Sequence, residues 1–268
     1  MLKDITFGQY YSARSPIHHL DPRNKIILLI IDIVFLFLTK NLWSLAVCFL
    51  QTVIIMLISR VPLKMFLRNV KTILPIIIFT TVINLFYGSG EELISFWRIT
   101  ITVGGVYRAV YMAARIILLI LISSVLTYTT TPNDITDAIE SLLSPLRFIG
   151  LGTAVHMLAM MMTIALRFIP TLVEETEKII NAQKARGADL ETGGLLRRIK
   201  ALIPILIPLL ISSVRRAYEL AEAMECRCYN GGVGRVRMKQ LKVTELDLYG
   251  FVLNFVFCAG VIIVNALV

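Results

Sequence analysis

The chain lacks the short motifs that mark several common enzyme classes, and it is poor in histidine and cysteine. Its 268 residues include 3 histidines and 4 cysteines. There is no Gly-x-x-x-x-Gly-Lys-Ser/Thr loop to cradle phosphates, so the chain is not expected to hydrolyse ATP itself. The His-Glu-x-x-His spacing of zinc proteases and the Gly-x-Ser-x-Gly of hydrolases are missing too. Cysteine usage excludes a disulfide framework: Cys48 and Cys258 fall inside apolar runs, and Cys226 and Cys228 flank Arg227. Cys226-x-Cys228 has no second pair, and His18, His19 and His156 have no ligand spacing, so no metal site is expected.

Acidic residues are scarce, 18 against 27 Lys and Arg, for a net charge of +9. The arginines lie beside apolar runs rather than on an aromatic-interleaved face, which argues against nucleic acid as the partner. No small-residue cleavage site follows the first apolar run, so no cleavable signal is expected.

What the chain has in excess is apolar sequence: 57% hydrophobic residues and a mean hydropathy of +0.77. That composition belongs to an integral membrane protein whose solvent is the lipid bilayer. Spacing of the apolar runs predicts an all-α fold with about five transmembrane helices. Residues 1–130 form a polar leader and four spans, near 26–39, 43–59, 73–87 and 109–130. Pro16 and Pro22 forbid a continuous helix in the leader, and Arg60, Lys64, Arg68 and Lys71 form a basic, cytoplasmic loop. Residues 88–107, with Glu91-Glu92 and several glycines, suit the outer side.

From Pro132 the pattern changes. Ile135, Ala138, Ile139, Leu142 and Leu143 recur at helical spacing between acidic residues, an amphipathic helix ended near Pro145. The next two apolar runs, 153–169 and 201–214, would be about 25 Å and 21 Å long, short of a hydrocarbon core of roughly 30 Å. If both crossed, Lys178, Lys184, Arg186, Arg197, Arg198 and Lys200 would be exported, against the positive-inside tendency. Residues 131–242 are therefore expected to form a cytoplasmic-side domain of amphipathic helices. Residues 243–268 form a last span that takes the C-terminus outside. Asp32 and Arg115 lie within spans, and their expected difference in depth makes a mutual pair doubtful.

One short pattern occurs twice. Ala185-Arg186-Gly187 and Cys226-Arg227-Cys228 each place an arginine between two small residues, after a long helical pattern and before glycines. Each arginine should sit near a helix C-terminus. A guanidinium there can meet carboxylates and carbonyls bidentately, and small neighbours permit close approach. Met157, Met160, Met161 and Met162 form the densest methionine cluster, suited to a surface that repacks against a partner.

These residues resemble the transmembrane T component of energy-coupling factor transporters. The likeness runs from Leu20-Asp21-Pro22-Arg23-Asn24-Lys25, through Thr131-Pro132 and residues 135–146, to Arg167-Phe168-Ile169-Pro170 with Glu174-Glu175. It ends in Ala182-Gln183-Lys184-Ala185-Arg186-Gly187 and in Ala223-Met224-Glu225-Cys226-Arg227-Cys228-Tyr229, where cysteines stand in place of the usual alanine and glycine. The resemblance implies a non-catalytic scaffold of an ATP-driven importer in a prokaryotic plasma membrane. Arg186 and Arg227, flanked by Ala185, Gly187, Cys226 and Cys228, would each dock into one of two ATP-binding cassette ATPase subunits. Those partners, not this chain, would bind ATP and Mg. The chain would pass their motion to a membrane substrate-capture component for a vitamin or other micronutrient, with the methionine cluster as its contact. The competing classes are a self-contained channel or secondary transporter, which should show polar or broken spans at the midplane, and an intramembrane enzyme, which should show converging acid, base or metal ligands.

Overall fold

The structure is a computed structural model and describes residues 10–86, 92–96, 99–150, 152–188, 194–230 and 241–267. Two prolines open the first two helices at their first turns, where no amide hydrogen bond is lost: α1 (Pro16–His19) and α2 (Pro22–Leu38). Asp21 caps α2 by accepting from Arg23 N at 2.9 Å. Then follow α3 (Leu42–Ser59), α4 (Leu63–Phe86), the antiparallel strands β1 (Glu92–Phe96) and β2 (Ile99–Thr102), and α5 (Val103–Thr129). The chain continues with α6 (Pro132–Leu143), a 3₁₀ turn (Ser144–Ile149), α7 (Gly152–Ala185), α8 (Leu195–Glu225) and α9 (Glu245–Leu267). The β1–β2 hairpin is the single departure from helix among the described elements.

The chain divides into two compact units, one of Gly8–Ile135 with Gln240–Val268 and one built on Thr136–Lys239. In the first, α5 is the central element and packs on α2, α3 and α4. Leu36, Leu45, Cys48, Tyr111, Leu118, Ile122 and Val261 make one buried cluster, and Met56, Val61, Phe66, Val125 and Tyr128 another. The α4–α5 contact requires glycine at position 105: a β-carbon there would stand 2.4 Å from the Leu85 carbonyl oxygen.

Several buried polar side chains in this unit bond across helices, although Arg115 Nε has no partner among the described residues. Asp32 Oδ1 accepts from the amides of Gln51 (2.8 Å) and Asn254, joining α2, α3 and α9. Arg115 instead caps the end of α2, donating from Nη2 to Thr39 O at 2.8 Å and lying over the Tyr111 ring. The two intramembrane charges therefore have separate partners.

The leader is equally tied down. Lys25 Nζ donates to Thr129 O at the end of α5 (3.0 Å), and Asp247 Oδ1 accepts from Asp21 N (2.8 Å), fixing α9 to the start of α2. His18 Nε2 lies 2.9 Å from Tyr11 O and Nδ1 2.7 Å from Ser15 Oγ. Burial pushes the His18 pKa below its ordinary value, with the Tyr11 carbonyl opposing.

Six helices among the described residues, α3, α4, α5, α7, α8 and α9, are long and apolar enough to cross a membrane. The expected first span, α2, has 17 residues, about 26 Å. Two sequence expectations need correction. Lys64, Arg68 and Lys71 do not form a loop but lie in the first turns of α4. The apolar runs after position 152 are not short helices: they are parts of α7 and α8, which have 34 and 31 residues and run through Pro170 and through Pro204 and Pro208. Each proline removes one ladder bond and leaves the flanking helix to continue.

Candidate functional site

The unit built on Thr136–Lys239 is mainly one helix pair. α7 and α8 lie antiparallel, because Glu175 meets Ser212 and Arg216 while Met160, earlier in α7, meets Tyr229, later in the chain. Glu175 accepts from Arg216 Nη2 at 2.7 Å and from the Ser212 hydroxyl. Toward the start of α7, His156 Nδ1 stands 3.1 Å from Glu140 Oε1 and ties α6 to α7.

The ends of α7 and α8 are built alike. In α7, Gly187 N donates to Lys184 O (3.0 Å) and Ala188 N to Gln183 O (3.0 Å). In α8, Cys228 N donates to Glu225 O (2.8 Å) and Tyr229 N to Met224 O (3.1 Å). Both are the paired five-to-two and six-to-one bonds of a Schellman motif, which needs a left-handed residue just past the helix. That residue is Gly187 (φ 83°) in the first case and Cys228 (φ 55°) in the second. Arg186 and Arg227 thus hold the same position, immediately before the left-handed residue.

Both arginines are exposed, as are Ala185, Gly187, Cys226 and Cys228. Neither guanidinium has a salt-bridge partner among the described residues. The last carbonyls of a helix carry its negative pole, which favours a cation here without consuming its hydrogen-bonding capacity. Among the described residues no group accepts a hydrogen bond from either guanidinium, so both planar forks can meet a partner outside the chain.

Antiparallel packing sets the two ends apart. Tyr229, two residues past Arg227, donates to Met160 Sδ at 2.9 Å. From Met160 to Arg186 along α7 is roughly 40 Å by helical rise. The methionine cluster therefore neighbours the α8 end, with Met157 and Met161 53% and 62% exposed, and Met160 and Met162 half-buried.

Sequence reasoning missed three things. The likeness of the helix ends extends to the capping bonds, which the spacing of small residues signalled only in part. Glu175 links the two long helices, and its pairing with Arg216 has no local signature at a separation of 41 residues. The leader residues Asp21 and Lys25 hold helix ends, which their charge alone did not reveal. No cluster of three or more metal-ligating side chains occurs among the described residues.

The fold is that of an all-α, multi-pass membrane protein, and it presents two exposed arginine-bearing helix ends. Comparison with known proteins gives that class a family. A family model described as "Cobalt transport protein" (CbiQ) matches residues 13–239. The energy-coupling factor transporter transmembrane protein EcfT of Ruminiclostridium cellulolyticum is 49% identical over 265 residues, 99% of this chain and 98% of its own length. Proteins of the same name from Acidaminococcus fermentans (48% over 258 residues, 96% of each chain) and Brevibacillus brevis (47% over 248 residues, 92% of this chain and 93% of its own) are similar throughout. The chain belongs to this family and is a multi-pass transmembrane component of an energy-coupling factor transporter.

Proposed function

We propose that the chain is the coupling scaffold of an ATP-driven importer. Arg186 and Arg227 each dock into one of two ATP-binding cassette ATPase subunits, which supply the ATP and Mg sites; this chain performs no catalysis. The long α7–α8 pair carries their motion to a separate substrate-capture component, and that component selects the vitamin or other micronutrient. Met157, Met160, Met161 and Met162 form its contact surface. The N-terminus and residues 131–242 face the cytoplasm, and the C-terminus lies outside.

The observation that carries this reading is the equivalence of the two ends: one guanidinium, one backbone motif, twice, at opposite ends of a single helix pair. Two identical presentations some 40 Å apart suit two copies of one kind of partner better than a single binding pocket. The sparse core of this unit agrees. Among its described residues, Thr136, Ala138, Ala159 and Ile205 are the buried ones, so much of its surface is left for lipid and partners.

Orientation is tested with the native thiols. A membrane-impermeant maleimide should leave Cys226 and Cys228 unmodified in right-side-out vesicles and label them in inside-out vesicles stripped of the ATPase subunits; labelling from the outside alone contradicts the reading. Coupling is tested by uptake: Arg186→Ala with Arg227→Ala should abolish transport while the chain remains folded in the membrane. Wild-type uptake by that variant would refute the proposal, as would robust ATP hydrolysis by the isolated chain.

A further inference from the structure

Cys226 and Cys228 do more than keep the flanks of Arg227 small. At the α7 end Ala185 and Gly187 meet the same steric requirement without sulfur, and Gly187 takes the left-handed conformation freely. At the α8 end that conformation is imposed on Cys228 (φ 55°), where a β-carbon costs about 1–2 kcal/mol. A disfavoured backbone conformation at a functional position points to a use for the side chain. Both thiols are free and exposed, whereas the other two cysteines, Cys48 and Cys258, are buried in the transmembrane unit. A reagent arriving through water therefore meets a two-thiol site centred on Arg227.

We propose that Cys226 and Cys228 are a thiol-modification site whose oxidation by a low-molecular-weight disulfide switches off docking at the α8 end. This inference rests on the reading that Arg227 docks. One cysteine, as thiolate, attacks a sulfur of the small disulfide; a protein–small-molecule disulfide forms, and the first small thiol leaves with the proton that the cysteine gave up. The second cysteine attacks the protein sulfur of that bond, closes the Cys226–Cys228 disulfide and releases the second small thiol. Two electrons pass from the protein dithiol to the small disulfide, which ends as two thiols.

The geometry explains why this disables the end. Two residues apart in a helical turn, the α-carbons stand about 5.4 Å apart, within the range of about 4.4–6.8 Å that a disulfide spans. Their side chains diverge around the turn, however, so closing the bond must rotate the backbone of Arg227. That rotation cannot keep the Cys228 N to Glu225 O and Tyr229 N to Met224 O bonds, which define where the guanidinium points. The intermediate mixed disulfide acts earlier, by placing a bulky group where a partner must approach. Docking in turn covers the thiols, and by linkage each event opposes the other to the same extent. The α7 end has no cysteine and stays indifferent to the oxidant.

The test uses the full chain in lipid nanodiscs, glutathione disulfide as the probe, and the ATPase subunits as binding partners. We expect the intact mass to fall by two hydrogens, a digest to place the new bond between Cys226 and Cys228, and dithiothreitol to reverse both. Affinity for the ATPase subunits at the α8 end should fall roughly tenfold or more, the loss expected when a desolvated charged contact is removed. Prior docking should protect both thiols. The Cys226→Ala, Cys228→Gly variant, which copies the α7 end, should show the same affinity with and without the oxidant, whatever its own starting value. Absence of a disulfide in the free chain, or a disulfide that leaves binding unchanged, overturns the proposal. Arg227→Ala separates the two readings: if that variant docks normally, the docking reading fails, while the mass measurement still decides whether the site exists.

Discussion

The ends of α7 and α8 share a backbone motif but reach it with different residues. At α7 the left-handed position is glycine, which gains nothing from any other conformation; at α8 it is Cys228, which gives up about 1–2 kcal/mol to adopt it. The bonds that close the two ends are nevertheless alike, all between 2.8 and 3.1 Å. The backbone arrangement is thus held by the capping bonds and the helix behind them, and glycine is one means to it. What both ends retain is the arginine directly before the turn.

The largest way to break this equivalence is to remove one guanidinium at a time. Arg186→Ala and Arg227→Ala should each cost on the order of 2–5 kcal/mol of docking free energy at their own end and leave the other untouched, as read by titration of ATPase subunits. Lysine keeps the charge and loses the planar fork, so Arg186→Lys and Arg227→Lys should fall between wild type and alanine.

Next in size is Gly187→Val, which puts a β-branched side chain at φ 83° and should destabilise the α7 end by about 1–3 kcal/mol. Hydrogen exchange at Gly187 and Ala188 should quicken while Cys228 and Tyr229 stay unchanged. Glu175→Ala tests what joins the ends. Loss of its bonds to Arg216 and Ser212 should cost about 1 kcal/mol after allowance for partial exposure, and protection should fall across the α7–α8 contact. Cys228→Gly runs the other way: relief of the left-handed cysteine should slow exchange at the α8 end, a gain of about 1 kcal/mol.

The smallest effect is a control in the other unit. His18 is held below its ordinary pKa, so the unfolded chain takes up a proton first as pH falls. Its contribution to stability should be complete above pH about 6.5 and decline as the pH drops from there toward the lowered folded value. Acid should favour opening of the leader around the half-buried His18 ring, seen by exchange there, and leave both arginine ends as they were.

Much of the fold was legible because apolar runs and helix punctuation agree. Pro22 and Pro132 start helices, and the ends at Arg186 and Arg227 follow from small residues after long helical patterns. Helix length was not legible where charge interrupted the run. Lys64, Arg68 and Lys71 are spaced four and three apart on an exposed helical face, so that spacing itself carried the signal that α4 begins at Leu63. α7 continues past Ile169 as a charged helix through Glu174, Glu175 and Lys178 to Ala185, a stretch that hydropathy alone assigns to water. The left-handed Cys228 was not legible at all, since β-carbon sterics argue against it and the capping bonds that close the turn have no signature in the residues.

The measurement that bears most directly on the account is the number of ATPase subunits retained by the chain, counted by native mass spectrometry of complexes released gently from lipid. Wild type should hold two, Arg186→Ala and Arg227→Ala one each, and the double variant none, with the helical circular dichroism of the purified chain unchanged. Two subunits on the double variant, or loss of both from either single variant, would contradict the claim that the two helix ends are separate and equivalent docking points.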